Sequence, residues 1–180
     1  MDPGCRCVTG IMNKPHHAIK IRLAFPNDLP FLRSLALEAF SIYGNYETVL
    51  TDFFLSKGVY TYVAEGIQNG AAIPAGVLMM VVRKQKRREP YFIEILAIAV
   101  ELAHQGRGIG SCMIEFAKQW PRCFSGRIPI TEVHLSVAES NMEGRSFFQH
   151  HGFEILRTEP WRYPAGQTAF RMRYVLKDKA

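Results

Sequence analysis

No apolar run in this sequence approaches the roughly 18–20 residues that a membrane span requires. The longest, residues 91–100, is interrupted by Glu94. Cysteine is sparse: Cys5, Cys7, Cys112 and Cys123 include no C-x-x-C pair. That argues against a disulfide framework and for free thiols in a reducing, cytoplasmic compartment. Cys5 and Cys7 stand near His16 and His17, but the spacing matches no zinc site, and no metal is expected. Residues 1–17 lack a continuous hydrophobic stretch, so no secretory signal is read there. Nor is the charge one-sided: 22 Lys+Arg stand against 16 Asp+Glu, a net of +6. Such an excess attracts anions without choosing among phosphorylated cofactors, acidic substrates and nucleic acid.

Apolar residues make up 48% and charged residues 21% of the chain, ordinary globular usage. Its 180 residues suit one domain. Regular patterning begins only near Ala18, which divides the chain into a flexible leader, 1–17, and a domain, 18–180. By the same token Met12 serves as a start as well as Met1 does.

Residues 19–23 alternate apolar and polar, a strand pattern, and Pro26-Asn27-Asp28 supplies a turn and a helix cap. Apolar spacing predicts helices over 29–43 and 46–57, broken at Gly44-Asn45 and ended by Gly58. Strands over 59–65 and 75–82 read as a hairpin turning at Gln68-Asn69-Gly70. Residues 91–100, nearly all apolar, predict a strand buried on both faces. A helix over 108–120, a strand over 130–137, a helix over 141–151 and strands over 153–158 and 168–176 complete the order βααβββαβαββ. One mixed sheet with helices on both faces accommodates it, an α/β fold.

The most informative stretch is Gln105-Gly106-Arg107-Gly108-Ile109-Gly110, which leaves a buried strand and opens a helix. Glycines there let backbone N–H groups approach a ligand closely. The free N–H groups of a helix start, with the dipole behind them, bind phosphate. The P-loop pattern requires Lys-Ser/Thr after the last glycine, and the dinucleotide fingerprint requires Gly or Ala where Ser111 stands.

The loop resembles the Gln/Arg-x-x-Gly-x-Gly/Ala signature of the GNAT superfamily of acetyl-CoA-dependent N-acetyltransferases, through Gln105, Gly108 and Gly110. A second family signature follows at family spacing: Asn141, Gly144, Phe147-Phe148 and Gly152-Phe153. The resemblance covers about residues 18–176 and implies a mostly antiparallel sheet splayed between its fourth and fifth strands. It implies that acetyl-CoA, without a metal, lies in the splay. Pantetheine would pair with the backbone of Ile98, Ala99 and Val100 and face Asn141 and Phe148. Pyrophosphate would take N–H groups of Gln105, Gly106, Arg107, Gly108, Ile109 and Gly110, with Ser111 beside them. Asn141 also reads as a plain helix N-cap.

Acetyl transfer requires that the amine lose a proton. Glu94, in an otherwise apolar strand, is the candidate general base, because apolar surroundings raise a carboxyl pKa. Its distance from the glycine loop matches the catalytic glutamate of the family's histone-acetyltransferase branch. The structural alternative is a glutamate paired with an arginine or lysine of a neighbouring strand. His134 is the reserve base. Where the family often has a tyrosine to protonate the CoA thiolate, this chain has Phe148. Either the thiolate leaves unaided, or Ser136 or a water supplies the proton, or the chain binds acyl-CoA without turnover. Cys112, in a first helical turn where thiol pKa values fall, offers an acyl-enzyme route, but its apolar neighbours favour direct attack in a ternary complex.

The helices at 29–43 and 46–57 occupy the family's acceptor segment, with Phe40, Tyr43 and Tyr46 as an aromatic rim. Tyr163 lies in the 161–167 loop, which with 168–172 resembles the hairpin of N-terminal acetyltransferases. The expected acceptor is a primary amine of a peptide or a small molecule, and the expected assembly a monomer or homodimer with no membrane partner. The basic run 83–88 reads as a solvated hairpin tip, since no aromatic interleaves it as nucleic-acid binding usually needs. The alternatives are a silent acyl-CoA-binding module, favoured by Phe148, and a ribosome- or RNA-associated protein using the 83–88 tip.

Overall fold

The computed structural model describes residues 19–68, 70–84, 91–122 and 129–176. The leader, most of the basic run and Cys123 lie outside them.

Among the described residues, seven strands and four α-helices follow one another in the expected order. They are β1 (Lys20–Leu23), α1 (Leu29–Phe40), α2 (Tyr46–Leu55), β2 (Val59–Gln68), β3 (Ala71–Lys84) and β4 (Tyr91–Val100). Then come α3 (Ile109–Gln119), β5 (Ile130–Ala138), α4 (Met142–His150), β6 (Glu154–Glu159) and β7 (Ala169–Val175). All seven strands form one sheet in the order β1-β2-β3-β4-β5-β7-β6, antiparallel except for the pair β4–β5.

Helix α1 buries Leu32, Leu35 and Ala36, the i, i+3, i+4 stripe of a helix lying on a sheet. They join Leu50 of α2 and Val63, Val77, Met79 and Ala97 of the strands in one core. On the opposite face α3 buries Ile109, Met113, Ile114 and Ala117 against Leu78, Ile93, Ile95 and Leu135. Strand β4 therefore carries core on both faces, as its composition predicts.

Two irregularities of β4 position the site. Met79 pairs with Ala97 but Met80 pairs with Ile95, so Leu96 is an extra residue, a β-bulge. The bulge shifts the alternation: Ile95 points into the α3 core and Ala97 into the α1 core. Just there the parallel ladder to β5 ends, at Ile95 opposite Leu135. On its other edge β5 stays paired with β7 from Glu132 to Ala138, so Ser136 to Ala138 keep β7 as neighbour after the β4 ladder has ended. Beyond Ile95 the two parallel strands part, which is the expected splay between the fourth and fifth strands.

Candidate active site

A cavity of about 850 Å³ fills the splay. One side is residues 96–100 of β4, beyond the end of its pairing with β5, together with the glycine loop and the start of α3. The loop's shape follows from its glycines. Gly106 and Gly108 have φ of 73° and 83°, a region that side chains disfavour. Gly108 caps α3, whose first-turn N–H groups have no intrahelical acceptors, and Gly108, Ile109, Gly110 and Ser111 line the cavity. Gly110 is tight for another reason: a Cβ there would stand 3.2 Å from Phe147 Cζ. The Gln105 side chain donates to the Val100 carbonyl at 3.0 Å, tying the loop to the strand it leaves.

Asn141 caps α4, its Oδ1 accepting from the Gly144 N–H at 2.7 Å. A Cβ on Gly144 would come within 2.7 Å of that amide, so the Asn-x-x-Gly spacing is a packing requirement. Phe148 is buried against Phe147 and Phe153 while also lining the cavity. The cavity thus gathers Ile98, Ala99, Val100, Gln105, Gly106, Gly108, Ile109, Gly110, Ser111, Asn141 and Phe148. Of the residues expected around the cofactor, Arg107 alone is not on the wall; it is exposed to solvent. His104 joins the wall unforeseen, buried and paired through Nδ1 with Glu101 at 2.8 Å.

The opposite side is aromatic. Tyr43 and Tyr163 stack with ring centroids 4.7 Å apart, and Tyr46 stands 6.1 Å from Tyr163. Phe40 stacks on Tyr46 at 5.2 Å. The α1–α2 and β6–β7 connections are pinned together: Ala165 N–H donates to the Tyr43 carbonyl at 3.1 Å and Gln167 Nε2 to that of Ile42 at 2.6 Å. Burial raises the phenol pKa of Tyr43, Tyr46 and, most, Tyr163. All three stay protonated, as hydrogen-bond donors rather than bases.

Glu94 overturns one expectation. Its surroundings are not apolar: Oε1 accepts from Arg171 Nη1 at 2.5 Å and Oε2 from Arg83 Nε at 2.9 Å. Burial alone would raise its pKa, yet the attraction and hydrogen bonds of Arg171 and Arg83 outweigh it and the carboxyl sits below its ordinary value. Glu94 is buried behind the cavity and is not on its wall. Ser136 is on the wall, its hydroxyl donating to Glu159 Oε2 at 3.1 Å. His134 is not on the wall: it pairs with Glu132 at 2.6 Å, stacks on Phe92 at 4.4 Å, and burial lowers its pKa. Cys112 packs against the core, where burial raises its thiol pKa, against the expected fall at a helix start. Among the described residues no cluster of metal-ligating side chains occurs, and no helix is long and apolar enough to cross a membrane.

The structural alternative for Glu94, an arginine or lysine of a neighbouring strand, is met by Arg83 of β3, whereas Arg171 and Arg162 were missed by sequence reasoning. Arg171 and Arg162 lie in a segment singled out only for its hairpin pattern, and nothing local marks their partner.

Residues 57–155, more than half of the chain, match the acetyltransferase (GNAT) domain family. A search of the curated proteins found no match. Among solved structures, Arabidopsis thaliana NAA60 in complex with acetyl-CoA has a TM-score of 0.70 at 17% identity, covering 88% of this chain and 98% of that one. Ard1 from Thermoplasma volcanium has a TM-score of 0.67 at 21% identity, with 89% and 99% covered. The ribosomal-protein-S18-alanine N-acetyltransferase from Escherichia coli has a TM-score of 0.66 at 18% identity, with 90% and 96% covered. At such identities these likenesses are ones of fold, and the family match carries the assignment. With both glycine signatures folded around one cavity in the splay, this chain belongs to the GNAT acetyltransferase family.

Proposed function

We propose that the protein transfers the acetyl group of acetyl-CoA to a primary amine by direct attack in a ternary complex, and that the amine is an α-amine. The observation that carries this reading is the single cavity joining the glycine turn and free edge of β4 to the tyrosine wall. Acetyl-CoA lies along 98–100 with its pyrophosphate on the first turn of α3, and the amine enters beside Tyr43, Tyr46 and Tyr163. The amine nitrogen attacks the thioester carbon, the C–S bond breaks, and the electron pair leaves on sulfur. A thiol of pKa near 8.5 is a tolerable leaving group without a protein acid. That suits a site with Phe148 near the sulfur and a Ser136 hydroxyl already given to Glu159.

The proton on the amine decides the acceptor class. Glu94, buried off the cavity wall, is the candidate base and would take the proton only through water, and Arg171 and Arg83 hold its carboxyl below the ordinary range, which makes it a weak base. A lysine amine, pKa near 10.4, is neutral only about once in a thousand or less at pH 7, whereas an α-amine near 7.7–8.0 is neutral about a tenth of the time. A weakly basic site therefore serves the α-amine of a peptide or amino acid and leaves lysine poorly served. An acceptor panel with acetyl-CoA, followed by free-thiol release, tests this: α-amines should turn over and Nα-blocked lysine peptides should not. The second reading, a silent acyl-CoA-binding module, is favoured by Phe148 alone. Binding of acetyl-CoA with no turnover across the panel would establish it.

A further inference from the structure

The polar groups at the acceptor end of the cavity do not balance. Two carboxylates, Glu94 and Glu159, face four guanidinium groups: Arg83, Arg157, Arg162 and Arg171. Three of the four arginines hold the short contacts. Glu94 is taken on one oxygen by Arg171 at 2.5 Å and on the other by Arg83 at 2.9 Å. Glu159 is taken on Oε1 by Arg157 at 2.6 Å and on Oε2 by the Ser136 hydroxyl at 3.1 Å. Arg162 is left with the remainder: Glu159 at 3.4 Å, Ser136 Oγ at 3.4 Å and Glu94 at 3.6 Å. None reaches the 2.7–2.9 Å of a charge-assisted hydrogen bond.

Arg162 is also the one of the four that lines the cavity, directly beside Tyr163. Its side chain is 44% exposed and so free to turn toward a ligand. Behind it, Arg171 is buried, and its Nε has no hydrogen-bond partner. A second guanidinium thus stands behind Arg162 with donor capacity unspent, its charge met by Glu94. Glu143, the other fully charged side chain on the wall, stands in the first turn of α4.

Resting on the α-amine reading above, we infer that the acceptor carries a carboxylate within a few bonds of its amine, and that Arg162 binds it. The planar fork of arginine suits a carboxylate, which it takes with two parallel N–H···O bonds. The carboxylate is either the acid's own, in a free amino acid, or an acidic side chain in the first residues of a peptide. Both present the same chemistry to Arg162, whose contacts with carboxylates are the longest among the four arginines. Arg162 is here a specificity-determining residue.

The test compares matched acceptors at saturating acetyl-CoA. One arm sets peptides with aspartate or glutamate at the first or second position against their asparagine and glutamine counterparts. The other sets free amino acids against their α-amides, so the arms tell the two carboxylate sources apart. KM should be about tenfold or more lower for the carboxylate members of one arm, with kcat less affected. Arg162→Gln should collapse that ratio, and Arg162→Lys should keep part of it. A melting shift with acetyl-CoA confirms that each variant is folded. Equal KM within every pair, or a preference that survives Arg162→Gln, overturns the inference while leaving the transferase reading intact. Should no acceptor turn over, the transferase reading fails, and calorimetric titration of the same pairs into CoA-loaded protein decides the inference alone. Equal affinities would then refute it, and a carboxylate preference lost in Arg162→Gln would support it.

Discussion

Replacing Glu94 with glutamine separates what the ion cluster holds together from what it contributes to the reaction. Glu94 and Arg171 are both buried, with side-chain exposures of 11% and 7%. Arg83 is 53% exposed, so its pairing with Glu94 counts for little against solvent. Removing one partner of a buried pair costs about 3–5 kcal/mol, because the other charge stays buried. Glutamine keeps one oxygen to accept from Arg171, which favours the lower end, about 3 kcal/mol. For a domain of this size 1 kcal/mol moves the midpoint by about 2–4 °C, so Glu94→Gln should melt roughly 6–12 °C lower. Replacing both partners, as Glu94→Leu with Arg171→Met, should recover part of the loss. The pH dependence has a definite sign. Glu94 titrates below its ordinary value of 4.5 in the folded protein. Its stabilisation is therefore complete above about pH 4.5 and is lost as pH falls through the folded value. The melting gap between wild type and variant should accordingly narrow below about pH 4.5. Turnover of an α-amine should fall only about tenfold at pH 7 and recover near pH 9, where the amine is already neutral. Differential scanning calorimetry from pH 3 to 9 and initial rates with a good acceptor supply both measurements. An unshifted melting point with a 10²–10⁴-fold loss of kcat would refute this reasoning and make Glu94 an indispensable base.

Gly108→Val forces a β-branched residue into φ of 83° at the α3 cap, and should abolish the melting shift by acetyl-CoA while leaving a folded protein; an undiminished shift would remove the pyrophosphate from this turn. Asn141→Ala removes the α4 cap and should cost about 1 kcal/mol together with a raised KM for acetyl-CoA; unchanged KM would leave Asn141 a cap only. Phe148→Tyr should change kcat less than about tenfold, because a thiolate that leaves unaided awaits no proton; a larger gain would mean that the site lacks an acid. With wild-type protein, kcat/KM for an α-amine should rise with pH and level off above about pH 8, whereas a rise continuing toward pH 10 would indicate a lysine-type acceptor.

Features with local causes were legible in the sequence. Helix α1 shows its buried stripe as Leu32, Leu35 and Ala36, because a helix repeats every 3.6 residues whatever it packs on. Gly106 and Gly108 announce a turn of positive φ, and Asn141 with Gly144 announces a cap, since each is settled within four residues. The cofactor side of the cavity follows, because a strand, a glycine turn and a helix start are contiguous in the chain. The bulge at Leu96 left no mark, being a matter of how β4 registers against β3. Glu94 was legible in part: an arginine of a neighbouring strand was the structural alternative, and Arg83 of β3 is one, but nothing marked the second partner. That partner, Arg171, is 77 residues away and reaches Glu94 only because β7 lies next to β5 and β5 next to β4. An apolar flank predicts a raised carboxyl pKa when the neighbours along the chain are the neighbours in space. Across a sheet they are not, because side chains two strands apart meet on a shared face. The charge at the acceptor wall, and with it the surplus Arg162, was decided by the order of strands.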